Sequence, residues 1–280
     1  MKPTLYDTIA LRCSQVVTTS YSTSFSLGIR TLAVRHRPAI YAIYGFVRLA
    51  DEIVDTFFGH RQREMLARFM SDTADAIAEG VSPNPVLHSF QWAVNKYNID
   101  REFIDAFLYS MEMDLEQTNH DAGSYKRYIY GSAEAVGLMC LRVFCHENPQ
   151  RFELLREPAR RLGSAFQKVN FLRDIRSDYV DRGRVYFPGV DFNRFTAAEK
   201  KQIEDDIAAD FKAALDGIRK LDHGSRRGVY LAYSYYMALF GKIRKTSPEA
   251  VTGQRFRISN PRKMLLLAKV TINDLAGIID

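Results

Sequence analysis

Two pairs of aspartates lie more than a hundred residues apart, each within an otherwise apolar stretch. Asp51 and Asp55 stand in YAIYGFVRLADEIVDTFF, and Asp174 and Asp178 stand in GSAFQKVNFLRDIRSDYV. A spacing of four puts both carboxylates of a pair on one helix face, about 6 Å apart along the axis. Burying four like charges among apolar side chains is costly unless cations neutralise them. The pattern therefore predicts two helices that bind magnesium between them.

The chemistry of such a site follows from the ligands that magnesium prefers. Magnesium takes hard oxygen ligands in octahedral geometry and is commonly held by one or two carboxylates together with substrate phosphates. A metal-bound diphosphate is a good leaving group, because the cations stabilise the charge that develops as the carbon–oxygen bond breaks. The predicted reaction is ionisation of a diphosphate ester to a carbocation.

Each aspartate pair belongs to a longer polar stripe on its helix. Arg48 extends the first stripe, and Gln167 and Asn170 extend the second, all at helical spacings of three or four. A solvent-facing helix with an incidental charge pattern is the alternative interpretation. The other faces of the first helix are apolar, however, with residues such as Phe46 and Ile53. This favours a central helix whose polar line faces a cavity.

The helices that position these stripes are predicted from residues that start and end helices. Pro38 and Gly59 bracket the helix of the first pair, while Pro158 and Gly183 bracket the helix of the second. Further predicted starts are Asp100, Ser124, Thr196 with its capping-box partner Glu199, and Asn260 before Pro261. Alternating strand-like runs are nearly absent, and the longest irregular segment is 181–195. The chain is predicted to be all-α.

Composition limits the class of protein. With 280 residues, 46% of them hydrophobic, and no linker or low-complexity tract, the chain is predicted to form one domain over 1–280. Its 39 Lys and Arg residues against 33 Asp and Glu give a charge of +6. This charge suits an anionic substrate or a membrane surface, but the basic residues are scattered, which argues against nucleic acid.

Cysteines and hydropathy indicate the compartment. Cys13, Cys140 and Cys145 are an odd number without metal-binding spacing, which is typical of reduced thiols in a cytoplasmic protein. No window reaches about 18 uninterrupted apolar residues, so no membrane-spanning helix is predicted. The net positive charge is compatible instead with peripheral contact with a lipid surface.

Basic and aromatic residues supply the other groups that a diphosphate site needs. Arg48, Arg173, Arg255 and Arg257 lie in or near the stripes and are candidates for diphosphate contact, with surface ion pairing as the alternative. The chain also contains 18 Phe and 15 Tyr. Most of these are expected in the core, and together they could line an apolar tunnel and shield a cation by cation–π attraction.

Four segments resemble the squalene and phytoene synthase family, whose members join two prenyl diphosphates head to head. They are YSTSFSLGIR, RPAIYAIYGFVRLADEIVD, RYIYGSAEAVGLM and LGSAFQKVNFLRDIRSDYVDRGRVYFP, which occur in the family's order between Tyr21 and Pro188. A weaker similarity follows at Tyr236 and over 255–263. The resemblance implies an all-α isoprenoid synthase type fold, in which two magnesium-binding aspartate motifs face each other across a central cavity.

The resemblance also implies roles for individual residues. The ligands of two or three magnesium ions, or of their waters, would be Asp51, Asp55, Asn170, Asp174 and Asp178. Tyr44 and Arg48 would join the four aspartates as catalytic residues. The residues around the diphosphates would be Arg48, Arg173, Arg255, Arg257, Gln167, Ser22, Ser24 and Tyr186. The residues lining the prenyl tunnels would be Phe25, Tyr44, Val136, Gly137, Leu162 and Gly163.

The implied reaction couples two geranylgeranyl diphosphates, through a cyclopropylcarbinyl diphosphate, to phytoene with release of pyrophosphate. The alternative is coupling of two farnesyl diphosphates to squalene or dehydrosqualene, with NADPH needed only for squalene. A terpene cyclase would be expected to mix Asn, Ser and Glu in its second metal motif. A non-catalytic lipid-binding or assembly factor would be expected to have lost the carboxylates, and all four are present.

The chain departs from the family pattern in three places. The segment between Asp178 and Gly183 is one residue longer than the family pattern, which puts the position of Tyr186 in question. Glu134 replaces a small residue, so its carboxylate either turns away from the tunnel or serves a proton or a metal-bound water. The last similarity is loose enough for Arg255 and Arg257 to exchange roles.

Overall fold

The computed structural model describes residues 3–279, apart from the side chains of Val180 and Asp181. Residues 1, 2 and 280 of the predicted domain lie outside this range. The described residues form helices joined by short connections, with one isolated bridge between Asn119 and Val185 and no strand. The prediction of an all-α chain is therefore confirmed. No helix among the described residues is long and apolar enough to cross a membrane.

The helices follow one another in a simple order. They are α1 (Leu5–Tyr21), α2 (Thr23–Thr31), α3 (Arg37–Asp55), α4 (Gln62–Glu79), α5 (Pro85–Tyr97), α6 (Arg101–Glu116), α7 (Ala122–Ile129), α8 (Ala135–Phe144), α9 (Pro149–Ile175), α10 (Ala197–Arg219), α11 (His223–Arg244), α12 (Pro248–Gly253) and α13 (Asn260–Leu275). Two π-helical segments, Tyr130–Glu134 and Arg176–Asp181, adjoin α8 and α9, and a short 3-10 turn spans Phe192–Arg194.

Helix α3, which carries the first aspartate pair, is central as predicted. It packs against α1, α4, α5, α6 and α8, and Phe46 at its middle is fully buried. The helix ends at Asp55 rather than at the predicted Gly59. The side-chain amide of Gln62 caps this end by donating hydrogen bonds to the carbonyls of Ile53 and Val54, which are among the last carbonyls of the helix.

Helix α9, which carries the second aspartate pair, starts nine residues before the predicted Pro158. Its N-cap is Asn148, whose side-chain oxygen accepts a hydrogen bond from the backbone N–H of Arg151 at 2.9 Å. Pro158 lies inside the helix and packs where a Cβ on Gly217 of α10 would stand, 2.2 Å from the proline Cβ. The prediction at Pro158 was wrong because the helix is already capped at Asn148, has Pro149 in its first turn and continues through Pro158.

The other predicted helix starts were mostly right. Thr196 and Glu199 form a capping box, and α13 begins at Asn260. Asp100 is the N-cap of α6, although its carboxylate binds Arg142 rather than a helix N–H. The helix start predicted at Ser124 was wrong. Asp121 is the N-cap, because its Oδ1 accepts a hydrogen bond from the Ser124 N–H, and α7 therefore starts at Ala122.

The segment after α9 is a π-helix, which was not predicted. Asp174 lies in the last turn of α9, whereas Asp178 lies in the π-helical segment Arg176–Asp181. A π-helical turn holds more residues than an α-helical turn, so it can accommodate one additional residue within a helix. The π-helical segment thus accommodates the extra residue between Asp178 and Gly183. That stretch includes Val180 and Asp181, whose side chains lie outside the described residues. Gly183, with φ +67°, follows the end of the helix as predicted.

Close packing around α9 leads to a test of stability. A Cβ on Gly163 would lie 2.6 Å from the carbonyl oxygen of Ala133, whereas a Cβ on Gly241 of α11 would meet nothing within 4 Å. We expect Gly163→Ala to destabilise the protein by about 1–3 kcal/mol, because the two backbones must separate. We expect the matched Gly241→Ala to stabilise it by about 0.5–1 kcal/mol. Denaturant unfolding measures both, and equal effects would contradict the packing argument.

Candidate active site

A cavity of about 750 Å³ lies between α3 and α9 and is also lined from α2, α8, α10 and α11. Most of the residues predicted for the site line it. They are Ser22, Phe25, Tyr44, Arg48, Asp51, Asp55, Val136, Gly137, Leu162, Gly163, Gln167, Asn170, Arg173, Asp174, Asp178, Tyr186 and Arg255. The sequence prediction thus selected one continuous surface from helices far apart in the chain.

Two predicted residues, Ser24 and Arg257, are not in the wall of this cavity. Ser22 caps α2 and Phe25 lies one turn further along, so Ser24 falls on a different side of the helix. Arg257 is exposed, and its neighbour Phe256 is buried in the core. Arg255 lines the cavity instead and forms an ion pair with Asp174.

The two aspartate motifs face each other across the cavity, and an arginine bridges them. Arg182 Nη1 lies 3.1 Å from Asp178 Oδ1 and 3.8 Å from Asp55 Oδ2. Arg184 Nη1 donates a hydrogen bond of 2.7 Å to Asp55 Oδ1 and lies 3.8 Å from Asp114 Oδ1. One carboxylate from each motif is therefore within reach of a single cation.

Further arginines hold the remaining two aspartates. Arg173 donates two hydrogen bonds to Asp174 Oδ2, at 2.5 and 2.9 Å. Arg255 Nε lies 2.7 Å from Asp174 Oδ1. Arg48 ion-pairs with Glu52, and its Nη1 is 3.8 Å from Asp51 Oδ2. Arginine side chains thus surround the polar end of the cavity, as a site for an anion requires.

The ionised forms of Asp51 and Asp178 are disfavoured despite these arginines. Burial, reinforced by the neighbouring Asp55, raises the pKa of Asp51 to about 7. Burial and the neighbouring Asp174 raise the pKa of Asp178 to about 7 as well. Desolvation disfavours the charged form of a carboxyl group, and a nearby like charge adds to that effect. Additional positive charge at this position would therefore stabilise the ionised aspartates.

The donor groups fit a hard divalent cation. The aspartate oxygens and the side-chain oxygens of Asn170 and Gln167 line one end of the cavity, and such ligands suit magnesium. Asp174 Oδ1 is buried and, apart from its ion pair with Arg255, has no polar partner that meets hydrogen-bond geometry among the described residues. No group of three Asp, Glu, His or Cys side chains within residues 3–279 is already assembled as a metal cluster. The arginines occupy the carboxylates in this structure, so a cation would have to displace some of those contacts.

Sequence analysis missed three charged residues of the site: Asp114, Arg182 and Arg184. Asp114 lies on the buried face of α6 and accepts hydrogen bonds from Tyr128 Oη at 2.7 Å and Tyr186 Oη at 3.0 Å. Burial raises its pKa to about 6. A single acid on an otherwise apolar helix face was a signal that could have found Asp114. Arg182 ends the helix after its π-helical segment and Arg184 lies just beyond it, where helical spacing no longer predicts which side chains share a face.

The structure answers two questions raised by the departures from the family pattern. Tyr186 lines the cavity despite the longer segment before it, and its ring stacks on Phe171 with the centroids 4.1 Å apart. Glu134 is not part of the cavity wall and ion-pairs with Arg160 of α9 at 2.8 Å. Its carboxylate is therefore turned away from the cavity.

Beyond the polar end, the cavity is aromatic and then aliphatic. The ring of Phe25 lies 5.8 Å from that of Tyr44, and Tyr236 stacks on Phe166 at 3.9 Å. The Tyr236 hydroxyl donates to Asn170 Oδ1 at 3.1 Å, which joins the aromatic wall to the polar stripe. The remaining wall includes Leu32, Phe144, Leu155, Leu162 and Leu221. This shape suits an amphiphile with an anionic head and a long apolar chain.

The chain is similar in sequence to presqualene diphosphate synthases and phytoene synthases. The presqualene diphosphate synthase of Sinorhizobium fredii is 35% identical over 172 residues, which cover 61% of this chain and 60% of that protein. The presqualene diphosphate synthase of Rhodopseudomonas palustris is 31% identical over 167 residues, which cover 59% of this chain and 58% of that protein. The chain thus matches about three fifths of the length of these two relatives. The phytoene synthase of Rhodobacter capsulatus is 27% identical over 282 residues, covering 94% of this chain and 81% of that protein.

The fold is shared with solved structures of the same group. A crystal structure of a dehydrosqualene synthase in complex with ligand superposes with a TM-score of 0.80 at 21% identity, covering 97% of this chain and 98% of that one. This match confirms the predicted fold type. The squalene/phytoene synthase family itself matches residues 18–262, and the chain belongs to the squalene/phytoene synthase family.

Proposed function

We propose that this protein is a magnesium-dependent prenyltransferase that condenses two prenyl diphosphates head to head. The observation that carries the proposal is the polar end of the cavity, where Arg182 lies between Asp55 and Asp178 of the two facing motifs. A site that places carboxylates from both sides, arginines around them and an apolar chamber behind them fits two amphiphilic diphosphates. Membership of the family supports the same reaction.

The residues divide the work between the diphosphate and the hydrocarbon. Asp51, Asp55, Asp174 and Asp178, with Asn170 beside them, would hold magnesium, which would neutralise the charge on the leaving diphosphate. The carbon–oxygen bond of one substrate breaks, the double bond of the other attacks the cation, and proton loss closes a cyclopropane ring. The carbon–oxygen bond of this cyclopropylcarbinyl diphosphate then breaks, and the three-membered ring rearranges and opens to a linear allylic cation. Loss of a proton from that cation completes phytoene, whereas squalene would require hydride from NADPH.

The chain's own side chains guide this sequence in three ways. Arg48, Arg173 and Arg255 lie where they can bind diphosphate oxygens. Phe25 and Tyr44 present aromatic rings to the chamber, and ring faces attract a carbocation. The aliphatic wall excludes water, which would otherwise capture the cation as an alcohol.

For the product, we propose phytoene from two geranylgeranyl diphosphates, which agrees with the phytoene synthases that match over most of the chain. The second candidate is coupling of two farnesyl diphosphates, to presqualene diphosphate or onward to squalene or dehydrosqualene. It is favoured by the higher identity to presqualene diphosphate synthases, 35% and 31%, over a shorter region. NADPH would be required only if squalene is formed.

One assay tests both candidates. The purified protein is incubated with magnesium and either labelled geranylgeranyl or labelled farnesyl diphosphate, with and without NADPH, and the products are identified by mass. Phytoene from the longer substrate supports the first candidate, and presqualene diphosphate, squalene or dehydrosqualene from the shorter one supports the second. A folded sample that converts neither substrate refutes the proposed prenyltransferase.

A further inference from the structure

Helix α13 carries an exposed apolar stripe that the proposed reaction does not use. The side chains of Leu265, Ile272 and Leu275 are 69%, 64% and 75% exposed. Their spacings of seven and three residues place them on one helix face, together with the exposed Met264 and Ala268. Single exposed apolar residues are ordinary on protein surfaces, but a continuous stripe of five indicates an interaction site.

The same face of α13 is basic and has no acid. Arg262 and Lys269 are exposed seven residues apart, along one edge of the apolar stripe. Asp274 is the only acidic residue of the helix, and it is buried on the opposite face. Its Oδ2 accepts a hydrogen bond from Arg227 Nε of α11 at 2.6 Å. The charged side chains on the exposed surface of α13, beside its apolar stripe, are therefore all positive.

The opposite face of α13 is fixed to the rest of the protein. Val270 is buried in a small core shared with Leu231 and Tyr235 of α11. The Tyr235 hydroxyl donates a hydrogen bond of 3.1 Å to the carbonyl of Lys263. Because the helix is already docked through this side, the exposed stripe is available to a partner.

The start of α13 lies beside the polar rim of the cavity. Lys263 Nζ donates a hydrogen bond to Thr23 Oγ1, and Thr23 follows Ser22, which lines the cavity. Arg255, another lining residue, is half exposed and precedes α13 by only five positions. Whatever binds the exposed face of α13 is therefore held close to the cavity.

We propose that the exposed face of α13 docks the protein onto a membrane surface that contains anionic lipids. The apolar side chains would enter the boundary between headgroups and acyl chains, and Arg262 and Lys269 would meet the headgroup phosphates. The alternative occupant is a second copy of the chain. A symmetric dimer through this face would place basic edges in the same interface, with no acid to offset them. An anionic membrane supplies the missing negative charge.

This docking surface stands on its own contacts and charges and does not depend on the proposed reaction. If the proposed reaction is also correct, the surface has a clear use. Prenyl diphosphates are amphiphiles and the coupled product is a hydrocarbon, so both partition into lipid. Docking beside the cavity rim would bring the site to the phase that holds its substrates and product.

Sedimentation of the full-length protein with lipid vesicles tests the proposal. One set of vesicles contains phosphatidylcholine only, and the other contains equal parts of phosphatidylcholine and phosphatidylglycerol. We expect the wild-type protein to bind the anionic vesicles more tightly. The triple variant Leu265→Gln, Ile272→Gln, Leu275→Gln should reduce binding to them at least about tenfold, because three apolar side chains no longer enter the boundary.

Two further variants separate the apolar and charge contributions. Arg262→Gln with Lys269→Gln should weaken binding to the anionic vesicles by about fivefold for each charge and leave binding to phosphatidylcholine unchanged. The matched control is Leu154→Gln with Val81→Gln, which removes apolar side chains that are 62% and 51% exposed outside α13. We expect this control to bind like the wild-type protein.

Three results would overturn the proposal. They are absence of wild-type binding to anionic vesicles, wild-type binding by both α13 variants, or an equal loss in the control variant. Light scattering during size-exclusion chromatography measures the oligomeric state and so tests whether a second copy of the chain binds this face. A wild-type dimer that the triple variant converts to a monomer, with vesicle binding unchanged, would assign this face to a second copy. Because the charge variant removes no apolar contact, it keeps the test valid even if the triple variant unfolds.

Discussion

Replacing Asp51 by Asn is expected to lower pyrophosphate release from a prenyl diphosphate by about 1000-fold or more, since the site loses one of the carboxylates that would hold magnesium against the leaving diphosphate. The same change should make the protein more stable in the absence of metal. Burial and the neighbouring Asp55 raise the pKa of Asp51 to about 7, so its negative charge is unfavourable in the folded state. An uncharged amide of similar size removes that repulsion.

The measurements for Asp51→Asn are a pyrophosphate-release assay with saturating magnesium and a thermal unfolding curve at pH 8 with a chelator. We expect the melting temperature to rise by about 2–4 °C for each kcal/mol of relieved repulsion. Asp216→Asn is the matched control, because Asp216 on α10 is 71% exposed and its nearest ion-pair partner, Arg219, lies 3.9 Å away. The control should change neither quantity.

The opposite outcome for Asp51→Asn has a clear meaning. Loss of activity together with a lower melting temperature would show that the carboxylate stabilises the fold, and that the activity was lost through unfolding. Full activity with a higher melting temperature would show that Asp51 is not needed for the chemistry. Only the combination of lost activity and gained stability fits a residue kept for its function at the expense of stability.

The part of the site that could be predicted from sequence is the part that follows helix periodicity. Asp51 and Asp55 had to share one face of an otherwise apolar helix, and that face borders the cavity. Gln167 and Asn170 were found in the same way, through their spacing from Asp174. The all-α fold was predictable for a similar reason, since capping residues and the scarcity of alternating runs agree along the whole chain.

The missing part of the site depends on contacts between distant segments. Arg184 binds Asp55 across 129 positions of sequence, and no local pattern marks it. The π-helical turn that contains Asp178 was not predicted either, although the extra residue between Asp178 and Gly183 is the kind of insertion that such a turn accommodates. Pro158 was also misread. Helix α9 begins at Pro149 and runs through Pro158, and no local pattern distinguishes a proline inside a helix from one in its first turn.

Magnesium affinity is expected to rise steeply with pH up to about pH 7 and then to level off. Burial and a neighbouring carboxylate raise the pKa of both Asp51 and Asp178 to about 7. Metal binds the ionised carboxylate, so each proton that must leave makes affinity dependent on pH. Between pH 8 and pH 6 we expect the dissociation constant to increase about tenfold for each of the two groups.

The stability of the metal-free protein should change with pH in the opposite sense. The pKa of each aspartate is higher in the folded state than its ordinary value of 3.8. The folded state therefore binds more protons than the unfolded state between about pH 4 and pH 7, and the free energy of unfolding falls as pH rises through this range. The stabilisation is complete below the unfolded pKa and is lost above the folded one.

Isothermal titration with magnesium alone, at constant ionic strength and several pH values, measures the affinity, and thermal unfolding with a chelator measures the stability. Asp178→Asn provides the internal comparison, because removal of one titrating group should leave only about a tenfold change between pH 8 and pH 6. Its metal-free stability should also vary less with pH. A magnesium affinity that stays constant from pH 6 to pH 8 would show that these carboxylates are already ionised, with the arginines of the site supplying the compensation. Metal would then compete with Arg182 and Arg184 rather than with protons, and salt concentration instead of pH would control its binding.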